Sequence, residues 1–165
     1  DLHVMLVDGG VERDCPLIHG APLSGALGAG PATPGTRYAC SNGTNVAITI
    51  LADLDYVPRR CIFAPPPGGN TFIRLRFDGL TFGRALHGHH AISVHQERDL
   101  KGAPVTLAFR TGDRELGKLI HRDGDSWKPF ELDTSDLAGT KAPLTVDVSA
   151  PNADARLYCF EADVR

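Results

Sequence analysis

Thr71-Phe-Ile-Arg-Leu-Arg-Phe77 alternates residue by residue, with Phe72, Arg74 and Arg76 on one face and Ile73, Leu75 and Phe77 on the other. A period of two is the signature of a half-buried β-strand. On its C-terminal side Val105–Phe109 repeats the pattern with Val105, Leu107 and Phe109. Leu144–Val148 repeats it again, with Leu144, Val146 and Val148 inward and Thr145, Asp147 and Ser149 outward. Weaker runs cover Ala91–His95, Leu116–His121, Trp127–Leu132 and Arg156–Val164. Turn formers separate them: 65–69 (Pro-Pro-Pro-Gly-Gly), Asp78-Gly79, Lys101-Gly102, 111–113, 123–125 and Pro151-Asn152. Strands at roughly ten-residue spacing predict an antiparallel sandwich or barrel. Only 133–139 reads as a helical turn, capped by Asp133 or Thr134 and ended by Gly139. The expected fold class is all-β.

A chain of 165 residues accommodates one domain, or one domain with an extension, and can bury a real core. Its 18 Gly and 12 Pro, spread throughout, suit short elements joined by turns rather than a helical bundle. Net charge is −3 and no basic stripe carries interleaved aromatics, so no nucleic-acid partner is expected. No apolar run approaches the ~18 residues of a membrane-spanning helix. Composition shifts near residue 60. Residues 1–60 hold Arg13, Arg37, Arg59 and Arg60 but no Lys, and 20–35 is a Gly/Ala/Pro-rich stretch poor in core-forming side chains. Two strands, around His3–Val7 and Val46–Leu51, flank that stretch. The expected division is a loop-rich N-terminal extension over 1–60 and a β-sandwich over 61–165.

Cys15, Cys40, Cys61 and Cys159 form no C-x-x-C pair, which removes zinc-ribbon, thioredoxin and c-type haem readings. Four widely spaced cysteines fit two structural disulfides in an oxidising compartment, or four buried free thiols in a cytosolic protein. Three pairings are possible. Cys15–Cys40 would tie the loose extension back on itself. Cys61–Cys159 follows from the jelly-roll habit of laying first and last strands side by side. The chain starts at Asp1 without a signal-like segment, as a processed or excised chain would, and the expected location is secreted, periplasmic or cell-surface.

Three segments resemble the galactose-binding-like β-sandwich, the jelly roll shared by discoidin-type domains and many carbohydrate-binding modules. Val105-Thr-Leu-Ala-Phe-Arg, a Gly-Asp turn and Glu115-Leu-Gly-Lys-Leu look like its hairpin. The stretch 127–139 looks like its following strand and helical turn, and 155–165 like its closing strand. Pro58-Arg-Arg-Cys-Ile-Phe, Leu119-Ile-His-Arg-Asp-Gly-Asp-Ser-Trp-Lys and the terminal Cys-Phe-Glu-Ala-Asp-Val-Arg are similar to the soluble sandwich modules of uncharacterised bacterial envelope proteins. Some of those modules are appended to membrane glycosyltransferase-like chains. The resemblance spans residues 61–165. It implies a jelly-roll sandwich acting as a non-catalytic envelope or surface module, with no catalytic residues to carry over.

His87-Gly-His89-His90, with His95 nearby, is the most unusual cluster; three imidazoles could hold Zn or Cu. In a strand, however, His89 and His90 point to opposite faces. Arg122-Asp-Gly-Asp-Ser126 could lend carboxylates to a structural Ca²⁺, though the EF-hand pattern is missing and a hairpin turn explains it equally. No other cofactor is expected. Trp127, Tyr56 and Tyr158 are the aromatic side chains able to stack on a pyranose, Trp127 being equally suited to the core. For a bound glycan the nominated residues are Arg98, His121, Arg122, Asp123 and Trp127. G-x-S-x-G, H-E-x-x-H and P-loop motifs are missing, and Gly25-Ala-Leu-Gly-Ala-Gly30 lacks the strand and helix of a phosphate cradle. Asn42-Gly-Thr44 is an N-glycosylation sequon. Three functions compete: a module binding a glycan or other surface ligand through loops at one end, a structural subunit of an extracellular assembly, and a small metal-dependent hydrolase using His87, His89 and His90.

Overall fold

The computed structural model describes residues 1–23 and 33–165. Thirteen strands run in chain order through the described residues: β1 Leu2–Asp8, β2 Val11–Asp14, β3 Leu17–His19, β4 Thr36–Ala39, β5 Asn45–Ala52, β6 Pro58–Phe63, β7 Thr71–Thr81, β8 Ala85–Ile92, β9 Val105–Thr111, β10 Arg114–His121, β11 Lys128–Asp133, β12 Lys141–Ser149 and β13 Tyr158–Val164. A single-turn helix, α1 (Val94–Glu97), follows β8. The strands form two antiparallel sheets, ordered β10-β9-β12-β7-β1-β2 and β11-β8-β13-β6-β5-β4-β3. Their inner faces make one core. Ile73 and Leu75 of β7, Leu107 and Phe109 of β9 and Val146 and Val148 of β12 meet Leu86, Ile92, Tyr158 and Phe160 of the second sheet. The alternation of hydrophobic residues thus does what a sandwich requires, lining each inner face with every second side chain. The protein is an all-β, two-sheet antiparallel sandwich.

The expected loop-rich extension over 1–60 is corrected. β1 lies between β7 and β2 and pairs with β7 from Leu2↔Phe77 to Asp8↔Thr71. Val4 and Leu6 sit in the principal core. β3, β4 and β5 complete the second sheet, and β5 pairs with β6 across the expected boundary at residue 60. The Gly/Pro content that made this half read as loose is concentrated in 20–35, while the runs on either side of it are ordinary paired strands. The glycine-rich 25–30 lies outside the described residues.

Two smaller differences have local causes. Asp78-Gly79 is no turn; it lies inside β7, where Gly79 takes φ 71°. Phe77 pairs with Leu144 and Leu80 with Ala142, so two β7 residues oppose Pro143 alone in a β-bulge. The run Ala91–His95 leaves the strand at Ile92 and turns into α1, whose first turn carries the Ser93-x-x-Gln96 spacing of a helix start. At the predicted helical turn, Ser135–Leu137 forms a 3₁₀ turn, and Asp133 Oδ1 accepts the Ser135 N–H at 2.9 Å.

Cys15 is bonded to Cys40 and Cys61 to Cys159. Cys15 stands where the chain passes from β2 in the first sheet to β3 in the second, so its bond to the residue after β4 pins that crossover. The other bond joins β6 to the closing strand. These two strands pair only at Cys159↔Phe63 and Phe160↔Ile62. The rest of the β5–β6 hairpin diverges from β13. Its Leu51, Cys61 and Phe63 form a second, smaller core with Ala91 and Cys159, against which Trp127 and Leu157 pack. No helix among the described residues is long and apolar enough to cross a membrane.

Candidate functional site

Four connections meet at one end of the sandwich: the β5–β6 turn (53–57), the α1 segment (93–104), the β10–β11 loop (122–127) and the β12–β13 loop (150–157). Side chains lock them together. Asp55 Oδ2 accepts from Ser126 Oγ at 3.1 Å, and the Arg98 guanidinium donates to the Tyr56 hydroxyl. Asp123 Oδ2 accepts the Gly102 N–H at 2.8 Å, while its Oδ1 takes Arg156 Nη1 at 2.8 Å. Arg156 also donates to the Ala103 carbonyl, and both members of this ion pair are buried.

The only non-glycine residues with positive φ among those described are Tyr56, Leu100, Ser126 and Ala155, and each of the four loops holds one. Such conformations cost of order 1–3 kcal/mol each and persist only where surrounding structure over-determines them. For Tyr56 the determinant is Asp53. Its Oδ1 accepts the N–H groups of Asp55 and Val57, both at 3.0 Å, and its Oδ2 accepts Arg59 Nε at 2.8 Å. Burial alone would raise the Asp53 carboxyl; hydrogen bonds from Arg59 and the two backbone amides outweigh it and hold the group below the usual carboxylate range. Tyr56 is thereby presented to solvent, 57% exposed, with the Arg98 guanidinium 5.4 Å from its ring centroid. Leu100 is also exposed, its side chain 3.7 Å from where a Cβ on Gly124 would stand.

Beneath these loops lies a sealed polar chain. Glu97 Oε1 accepts from His121 Nε2 at 3.0 Å and from the Ser126 N–H at 2.7 Å. His121 Nδ1 is 3.2 Å from His90 Nδ1, which is 3.0 Å from the Tyr158 hydroxyl. All four residues are buried. Burial, reinforced by the neighbouring His121, pushes His90 down to about 3, and burial pushes the Tyr158 phenol well up. The chain connects α1, β8, β10 and β13, and through the Ser126 N–H it fixes the strained turn of the β10–β11 loop.

The His90 shift sets a pH dependence. The folded state excludes a proton that the unfolded chain binds below pH 6.5, so stability falls as pH drops from about 6.5 towards 3. Urea midpoints at pH 7, 5 and 4 should fall more steeply for the wild type than for His90→Gln. Parallel profiles would show that His90 titrates normally.

The residues nominated from sequence divide into two layers. Arg98 and Arg122 are exposed in the loops, whereas the buried His121 and the Asp123 side chain, 5% exposed, lie beneath them and hold the loops in place. Both side chains are engaged by neighbouring loop residues. Trp127 is half-buried; its indole stacks on the His89 imidazole with centroids 5.2 Å apart, and the Arg59 guanidinium lies 5.2 Å from the ring. Trp127 also packs against the smaller core. Sequence reasoning passed over Glu97 and Arg156. The capping-box spacing at Ser93 signalled the turn that buries Glu97, but nothing in the sequence signals that Arg156 folds inward.

The histidine metal set is corrected. His87 and His89 share the outer face of β8 and pair with Glu131 at 3.4 Å and Glu161 at 2.7 Å, while His90 points into the core. Strand parity separates them. Among the described residues no group of three or more His, Cys, Asp or Glu is arranged to hold a metal ion. In the loop considered for Ca²⁺, Asp123 is occupied by Arg156 and Gly102, and Asp125 by Lys128 and the Arg122 N–H. His87 and His89 instead line an open cleft of about 550 Å³ with Glu131, Glu161, Asp163 and Arg165.

No family model and no curated protein matches the chain. Two solved structures are similar to it. One holds CBM51-2, in complex with GlcNAc, and INT domains from Clostridium perfringens ZmpB: 10% identity, 96% of this chain, 35% of that chain, TM-score 0.44. The other holds the M60 catalytic domain with CBM51-1 and CBM51-2 of the same protein: 12% identity, 99% of this chain, 17% of that chain, TM-score 0.45. The chain thus spans about a third or less of either.

Proposed function

We propose that this is a non-catalytic, secreted or cell-envelope module that binds a glycan at the loop end of its sandwich. One observation carries the reading: the exposed Tyr56 ring is held at φ 61° by the buried Asp53, with the Arg98 guanidinium beside it, where four mutually locked loops meet. A presented aromatic face offers a platform for the apolar face of a pyranose, and adjacent donors offer hydrogen bonds to its hydroxyls. Backbone strain collected in loops on a rigid scaffold is the pattern of a preformed ligand clamp. Catalysis is not assigned, because the buried histidine–carboxylate pair, His121–Glu97, is enclosed with His90 and Tyr158 and faces no solvent. Two disulfides support an oxidising compartment.

The test is a glycan array followed by titration calorimetry on the best binder. Tyr56→Ala should weaken binding by about tenfold or more, equivalent to at least ~1.4 kcal/mol, with an unchanged melting temperature. Tyr56→Gly should bind as poorly yet melt no lower than wild type, since glycine relieves the positive φ. Full-strength binding by either variant would place the ligand elsewhere.

A further inference from the structure

We infer that an opening between the two sheets is a second binding site, apart from the loop end, for a single-chain aliphatic carboxylate, a fatty acid. The second sheet parts on both sides of the β5–β6 hairpin. β6 pairs with β13 no further than Phe160↔Ile62; from Glu161 to Val164, β13 has β8 on one edge and, among the described residues, no strand on the other. β4 meets β5 only at Tyr38↔Val46 and Ala39↔Asn45. Two adjoining cavities, of about 310 and 440 Å³, lie at these gaps and share Ile62 and Phe77 in their walls. Ala162 marks the opening. It follows Tyr158 and Phe160 on the core-facing side of β13, and Val164 beyond it packs on the core, yet Ala162 is exposed. Close-packed interiors leave few voids larger than a water molecule, so cavities of this size are places for a guest.

The walls set the chemistry of that guest. Leu80, Leu86, Phe109 and Leu144 line the smaller cavity, a space where water finds few partners and an apolar chain finds many. Its one charge, Asp163, is paired with Arg165 at 3.1 Å. The larger cavity also carries one charge, Arg37, the only Lys, Arg, Asp or Glu between Asp14 and Asp53. Arg37 Nε donates to Asn45 Oδ1 at 3.1 Å, and Nη1 to the carbonyls of Ala21, Pro34 and Gly35 at 3.1, 3.3 and 3.4 Å. All four partners are neutral, and among the described residues Nη2 has none. Pro34 lines the cavity too, so its bond to the guanidinium puts the charge at the rim. A half-buried guanidinium without a carboxylate, beside an apolar space, is complementary to a carboxylate carried on an apolar tail. The head group then sits on Arg37, and the tail passes over Ile62 and Phe77 into the smaller cavity.

Titration calorimetry of the full chain with decanoate, decanol and decyltrimethylammonium, each below its micelle concentration, separates head group from tail. Decanoate should bind about tenfold tighter than decanol or more, and the ammonium weakest. Affinity should rise about fourfold per methylene from octanoate to dodecanoate, the scale for burying each one. Arg37→Gln should bring decanoate down to the level of decanol. Ala162→Phe, which puts a ring into the smaller cavity, should abolish the gain with chain length while melting no lower than the wild type. Ala162→Leu, a smaller filling, should act part-way and covers the case in which the phenylalanine variant does not fold. Neither site alters the Tyr56 loops, so saccharide binding should be unchanged in all three variants, and the two sites stand or fall separately. Equal affinity for decanoate and decanol overturns the inference, as does decanoate binding that survives both fillings. A concentration-dependent dimer of the free protein that Ala162→Leu dissolves also overturns it, by assigning the opening to a second copy of the chain.

Discussion

Asp123→Ala should cost about 3–5 kcal/mol of folding stability, the scale for removing one partner of a buried ion pair. The Arg156 guanidinium is solvent-inaccessible, and Asp123 supplies its sole counter-charge, at 2.8 Å. Its remaining contacts are the Ala103 and Asp154 carbonyls, which solvate a cation but do not neutralise it. Left alone, the charge must draw water into the loops or pull the β12–β13 connection outward. Arg156→Met should cost less than Asp123→Ala, because it leaves a carboxylate that the Gly102 N–H still serves and that lies nearer the surface. The double variant Arg156→Met/Asp123→Leu should recover part of the loss, since well-packed apolar pairs commonly replace buried ion pairs without penalty. Urea denaturation of the three variants decides the matter. A loss under 1 kcal/mol for Asp123→Ala would mean that the pair is hydrated.

The same pair shows how far the sequence could be read. Asp123 stood out as a loop residue beside Arg122 and Asp125, and from the sequence each looked equally able to meet a ligand. The difference between them is three-dimensional: Asp123 turns inward onto an arginine 33 positions later, whereas Arg122 turns out. No local pattern carries that information. Gly102 illustrates the same limit. It reads as a turn glycine, yet a Cβ there would stand 1.7 Å from Arg156 Nη2, so its absence of a side chain is what admits the guanidinium.

What periodicity could carry, it carried. Ile73, Leu75, Leu107, Phe109, Val146 and Val148 lie in the core where alternation places them. The N-terminal half was misjudged for a physical reason. The strand at His3–Val7 was legible, but the Gly/Ala/Pro-rich 20–35 made the half around it read as loose, and its burial on both faces from Val4 to Val7 carries no alternation to tie it to a sheet. The Tyr56 platform was half legible. The tyrosine was visible as an aromatic able to stack, but its presentation depends on Asp53, a buried carboxylate that closes the hairpin turn.

Removing the Cys61–Cys159 bond should damage both stability and binding. Its closed loop has a sequence separation of 98, for which chain entropy predicts about 4.7 kcal/mol, against about 3.5 kcal/mol for the separation of 25 at Cys15–Cys40. The structural consequences differ more than these figures. Cys15–Cys40 pins a crossover that β-pairing on both sides already holds. Cys61–Cys159 anchors a hairpin that pairs with the closing strand at two positions only, and whose tip carries Asp53 and Tyr56. Cys61→Ala/Cys159→Ala should therefore lower the urea midpoint more than Cys15→Ala/Cys40→Ala. It should also weaken glycan binding at temperatures where the variant remains folded, because the hairpin loses its covalent hold on the second core. Equal losses of stability with binding intact would show that Leu51, Phe63 and Trp127 suffice to seat the hairpin. The Tyr56 platform would then depend on Asp53 alone.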